Sequence, residues 1–165
     1  MEKEFYAFGA KHIWAEKRIA PVNDYYTFKL LDESDPIVSD ANYYVIKGKK
    51  LFDLLTYEDW SQFLISKRLK DVLERERYNG YKCFSTEIEG IADEYFGWLN
   101  IAEVGPVIKK TEDNFIVWFD LNTWHNYDFF HLKGTFRNVC TKKVKEVLEQ
   151  EGITNIEFRP CYGVE

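Results

Sequence analysis

Four side chains with metal-binding chemistry fall within twelve residues: Asp120, His125, Asp128 and His131. Carboxylate oxygen and imidazole nitrogen are ligands that zinc, manganese and iron accept, so a metal-dependent enzyme is one reading of the chain. The spacing matches no established ligand pattern, and Trp124, Tyr127, Phe129 and Phe130 stand among the four. Such surroundings suit histidines seated in a half-buried aromatic surface and hydrogen bonded to backbone. Cys83, Cys140 and Cys161 could act as nucleophiles, but none forms a CxxC pair and nothing local would lower a thiol pKa. Packing roles and a reducing compartment are expected for them. The carboxylate pairs Glu87/Glu89 and Asp93/Glu94 could serve acid–base chemistry, though solvation of a surface accounts for them more simply. No GxxxxGK[ST], GxGxxG, HExxH or GxSxG occurs. No catalytic residue, metal or cofactor is assigned, and the chain reads as a non-enzyme.

Charge distribution says more than any single residue. Lys and Arg total 22 against 28 Asp and Glu, a net −6 that repels phosphate backbones and argues against nucleic acid as a partner. From Leu30 to Ile46, Cys83 to Ile108 and Thr111 to Leu132 there is no Lys or Arg, and carboxylates alternate with aromatics. An acidic surface carrying Tyr and Trp anchors suits a basic protein partner, because opposite potentials speed encounter and large rings supply buried contact area. The expected docking residues are Asp93, Glu94, Tyr95, Trp98, Asp120, Trp124 and Tyr127. A homo-oligomerisation or generic binding surface is the other non-catalytic reading.

The elements that must position these residues are organised by an internal repeat. Ser66-Lys67-Arg68-Leu69-Lys70-Asp71-Val72-Leu73-Glu74 reappears without a gap as Thr141-Lys142-Lys143-Val144-Lys145-Glu146-Val147-Leu148-Glu149. Each copy follows a short apolar run, begins with a hydroxyl that can cap a helix, and places apolar residues at i, i+3 and i+4. Two amphipathic helices are predicted, ending near Asn79-Gly80 and Gly152. Strands should follow at Tyr81–Ile88 and Ile153–Arg159, the second terminated by Pro160. Further strands are read at 25–31, 43–46, 95–101 and 115–119, where branched and aromatic residues are bounded by Asp, Asn, Gly or Pro. The fold class is therefore α+β: a mainly antiparallel sheet with two equivalent strand-helix-strand units, about 63–88 and 137–161. At 165 residues with 45% apolar and 18% aromatic content, one domain over 1–165 is expected, its repeat at 63–88 and 138–161. No apolar run is long enough to span a bilayer and no secretory signal opens the chain, so a cytoplasmic, membrane-free protein is expected.

The run Phe130-His131-Leu132-Lys133-Gly134, the strand Thr135–Cys140, the helix from Thr141 and the ending Gly152-Ile153-Thr154-Asn155-Ile156-Glu157-Phe158-Arg159-Pro160 resemble the C-terminal signature of a bacterial immunity-protein family of polymorphic toxin systems. Phe63–Ser66 with its helix, and Tyr95–Ile101, are similar to that family's middle section. The resemblance covers roughly 60–162, and the N-terminal third matches less. Cys140-Thr141 stands where an apolar residue and Ser are usual, and Asn155 where Gly is often found. The resemblance implies a small cytoplasmic protein that binds a cognate toxin and blocks it without catalysis. The matched residues are core and cap positions, so they speak to ancestry more than to a binding surface.

Overall fold

The computed structural model describes residues 1–22, 41–57 and 63–165. The predicted strand at 25–31 lies outside the described residues. The chain is mostly sheet with some helix, in the order β1 (Glu2–Ala10), β2 (Arg18–Pro21), β3 (Ala41–Lys47), β4 (Leu54–Thr56), β5 (Phe63–Ser66), α1 (Lys67–Glu76), β6 (Tyr81–Ile88), β7 (Tyr95–Asn100), β8 (Glu103–Val104), β9 (Val107–Lys110), β10 (Val117–Asp120), β11 (Phe129–Leu132), β12 (Asn138–Thr141), α2 (Lys142–Gln150) and β13 (Ile156–Val164). These strands form two sheets rather than one. One runs β8-β11-β12-β1-β13-β10-β9 and the other β2-β3-β6-β7-β5-β4. Both are mixed, because β10·β13, β11·β8 and β3·β6 pair in parallel. The expectation of a mainly antiparallel sheet is corrected to that extent.

The repeated sequence adopts one arrangement twice. β5 and β6 both run antiparallel to β7, which lies between them, and β12 and β13 both run antiparallel to β1. Each helix thus carries the chain over one intervening strand. The strand filling the gap differs in origin: β7 follows its unit directly, whereas β1 comes from the other end of the chain. Both helices start from a capping hydroxyl in extended backbone, Ser66 accepting from the Leu69 N–H and Thr141 from the Val144 N–H. Leu69, Val72 and Leu73 of α1 and Val144 and Leu148 of α2 enter the same core with Phe8, Phe63, Trp98 and Phe129. Both apolar stripes are therefore buried in one shared core, which is how helices too short to stand alone become stable.

Asp53 ties the units together. Its buried carboxylate accepts from Ser66 Oγ at 2.6 Å, Arg68 Nη1 at 2.8 Å, and both the Thr154 N–H and Oγ1 at 2.8 Å. Ser66 therefore caps α1 and donates across to Asp53, while the Thr141 hydroxyl caps α2. Thr141→Ala is expected to cost about 1 kcal/mol and Ser66→Ala more, read by urea unfolding. Equal costs would deny the link through Asp53.

The seven-stranded sheet curls strongly. Its outer strands β8 and β9 are separated by Gly105-Pro106 alone, so at 3.8 Å per residue step the open edges stand at most about 11 Å apart at Val104 and Val107. Phe5, Ala7, Val104, Phe119, Phe130, Leu132 and Cys161 fill the inside of the curl. Two predicted ends shift. α1 stops at Glu76, where Arg77 takes φ +58° and closes the helix, ahead of the predicted Asn79-Gly80. β13 runs through Pro160 to Val164; it pairs β1 along its whole length but joins β10 only from Tyr162, so Pro160 sits where the strand has a free side.

Candidate partner-binding surfaces

The predicted docking residues are not all at the surface. Asp93 and Glu94 are exposed at the turn between β6 and β7. Tyr95 and Trp98, on β7, are buried: the Tyr95 hydroxyl donates to the Phe52 carbonyl at 2.7 Å, and the Trp98 indole stacks on Tyr81 at 4.7 Å with Phe129 edge-on at 4.8 Å. Neither can anchor a partner. Period-two alternation fails to separate their faces because β7 is the middle strand of its unit and packs on both sides. Asp120, Trp124 and Tyr127 are half-buried and occupied locally. Asp120 caps the 3-10 turn Leu121–Thr123 through the Asn122 N–H at 3.0 Å. Trp124 Nε1 donates to the Tyr127 carbonyl at 2.9 Å, and Lys3 Nζ lies 3.6 Å from its ring centroid.

The metal quartet is dispersed among other partners. Asp120 caps its turn, Asp128 accepts from the Asn79 N–H at 3.1 Å, His131 Nε2 meets Glu103 Oε2 at 2.9 Å, and His125 packs edge-on against Tyr127. Among the described residues no group of three or more His, Cys, Asp or Glu is placed to hold a metal ion. Burial pushes the thiols of Cys83 and Cys161 up to about 12 and that of Cys140 well above its ordinary value. Burial thus disfavours the thiolate, the nucleophilic form, in all three.

Large apolar side chains reach solvent elsewhere, and in basic surroundings. Trp14 is 98% exposed. It occupies the corner of a turn closed by the Glu16 N–H donating to the Ile13 carbonyl at 2.9 Å. A second loop braces that turn: the amides of Lys49 and Lys50 donate to the Ala15 carbonyl at 3.1 and 2.9 Å, and that of Lys17 to the Lys50 carbonyl at 2.8 Å. Gly48 permits the approach, since it has φ +92° and a Cβ there would lie 1.7 Å from the Glu16 carbonyl oxygen. The acid in this segment is withdrawn from the surface. Glu16 is 1% exposed, and its Oε1 accepts from the Thr56 N–H at 2.7 Å and Oγ1 at 2.8 Å. Among the described residues, the charged side chains left at the surface of this turn and its brace are cationic: Lys11, Lys47, Lys49 and Lys50 are exposed and Lys17 is half-buried. Sequence reasoning missed this surface; its signal is Lys11-His12-Ile13-Trp14 beside Lys47-Gly48-Lys49-Lys50, two basic runs that only the fold brings together.

Asn155, which stands where the family resembled in sequence often has Gly, has φ +58°, its side-chain amide donating to the Leu54 carbonyl at 2.9 Å. Gly and Asn are the residues that enter this left-handed backbone most readily, so the departure preserves the backbone demand. Among the described residues no helix is long and apolar enough to cross a membrane. The chain matches no family model and no curated protein.

Proposed function

We propose that the protein is a cytoplasmic, non-catalytic immunity protein that neutralises a cognate bacterial toxin by binding it, with Trp14 as the docking anchor. The observation that carries this reading is a fully exposed indole held on a braced turn whose two segments carry exposed lysines. An exposed Trp forgoes the burial that normally stabilises a fold, and a rigid aromatic loses little conformational freedom when a partner covers it. The C-terminal resemblance supplies the toxin, and the α+β pair of equivalent strand-helix-strand units is the scaffold that goes with it. Because the anchor sits among lysines, the toxin surface covering Trp14 has to be acidic. The basic toxin surface anticipated from charge patterning would instead meet Glu89, Asp93 and Glu94, exposed between β6 and β7, where no exposed aromatic accompanies them among the described residues of that turn.

The test is to co-express the protein with the toxin encoded beside it. Wild-type protein is expected to co-purify with the toxin and protect cells. Trp14→Ala is expected to weaken the complex about thirtyfold, or 2 kcal/mol, without lowering the melting temperature. Absence of both complex and protection from the wild-type protein would refute the reading.

A further inference from the structure

Far from the Trp14 turn in sequence, the curled sheet leaves a cavity where its edges fail to meet. It has a volume of about 540 Å³, and its walls include Val107, Ile108, Lys109 and Lys110 of β9 with Lys133 and Arg137 of the β11–β12 connection. That volume lies in the range of small-molecule sites. Four cations line it and no carboxylate does, in a chain whose net charge is −6. The positive charge is thus a local concentration against the overall balance.

Arg137 is built into the wall. It is half-buried, and its guanidinium donates to the backbone carbonyls of Asn114 and Phe115, so it pins the β9–β10 end to the β11–β12 connection without meeting a carboxylate there. Burial pulls its pKa below the ordinary value, as expected for a cation whose solvation is only partly replaced. Among the described residues no ion pair neutralises Lys109, Lys110 or Lys133, although Lys109 Nζ also lies 4.8 Å from the Trp118 ring centroid. Phe136, next to Arg137, is 69% exposed, and Phe115, whose carbonyl Arg137 holds, is 51% exposed. Charge and concavity coincide, and both rings lie outside the cavity wall.

We propose that this cavity binds a phosphate-bearing small molecule of nucleotide size. A phosphate group brings up to two negative charges and several acceptor oxygens, which can meet two ammonium groups and the remaining N–H donors of a guanidinium together. The apolar walls at Val107 and Ile108 would take the carbon part of the ligand. The site is independent of Trp14 and of toxin binding.

Calorimetry at constant ionic strength tests it with adenosine monophosphate, pyrophosphate, adenosine, sulfate and a polyglutamate peptide as probes. Adenosine monophosphate is expected to bind and adenosine not to. Lys110→Glu with Lys133→Glu should weaken that binding at least tenfold with an unchanged circular dichroism spectrum, whereas Trp14→Ala should leave it unaltered. Failure of both phosphate compounds to bind at about 1 mM, an equal response to sulfate, or tighter binding of polyglutamate would each overturn the proposal. Toxin neutralisation by a protein that fails this test would leave the immunity reading standing, and phosphate binding by a protein that protects against nothing would leave the cavity assignment standing.

Discussion

Trp98→Ala is expected to destabilise the protein by about 4 kcal/mol and lower its melting temperature by about 10 °C, while the residue contributes nothing directly to partner binding. Its indole is 9% exposed and touches four rings: Tyr81, stacked at 4.7 Å, Phe129 at 4.8 Å, Phe8 at 5.8 Å and Phe63 at 6.3 Å. These come from both sheets, so alanine would open a hole at the centre of the core shared by the two units. Trp98→Phe should cost much less, near 1 kcal/mol, because it keeps most of the ring contacts and removes an indole N–H that has no partner among the described residues. Denaturant unfolding checks both. A Trp98→Ala protein with wild-type stability and lost toxin binding would restore Trp98 as the surface anchor that the sequence suggested.

Asp53→Ala is expected to cost about 3 kcal/mol. Asp53 is 6% exposed, and four donors converge on its carboxylate, two from the first unit and two from Thr154 of the second. Truncation would leave the Thr154 N–H and the Ser66 hydroxyl without that acceptor, and it is this loss that dominates, since the Arg68 side chain is about half-exposed and water can solvate it. Asp53→Asn keeps the shape but turns an N–H₂ group toward donors, and should cost about 2 kcal/mol. Amide hydrogen exchange supplies the second readout: protection should fall at Thr154 and Leu69 together, because one carboxylate orders both neighbourhoods. Loss of protection at one of them alone would mean that Asp53 does not join the units.

The sequence reveals the 63–88 unit well because its signals are local: a capping Ser66, an i, i+3, i+4 stripe at Leu69, Val72 and Leu73, and alternation through Tyr81–Ile88. The second unit is legible to the same depth, and its limit is instructive. Its central strand is β1, which pairs Glu2–Ala10 with Val164–Ile156, and no local pattern links residues that far apart. Phe5-Tyr6-Ala7-Phe8 does not alternate in polarity because β1 is flanked on both edges and covered on both faces. The split into two sheets is hidden for the same reason, since it depends on which distant strand fills each gap.

Surface chemistry was less legible than fold. Interleaved acids and aromatics suggested an acidic aromatic face, yet Tyr95 and Trp98 point into the cores while Asp93 and Glu94 stay outside. Composition along the chain cannot separate these, because neighbouring residues can lie on opposite sides of a sheet. Burial takes Glu16, the carboxylate of the Trp14 turn, out of the surface charge, a placement that no local count of charges reveals. The basic cavity is assembled from Val107–Lys110 and Lys133–Arg137, segments that meet only because the sheet curls.

The most direct measurement is the affinity of the purified protein for the proposed cognate toxin, taken with Trp14→Ala and with Lys47→Glu/Lys49→Glu/Lys50→Glu in parallel. The expected result is a stoichiometric complex whose dissociation constant rises about thirtyfold in the first variant and comparably in the second, with both variants as stable as the wild-type protein. A complex unaffected by either change, or no complex at all, would contradict a binding role centred on the Trp14 turn.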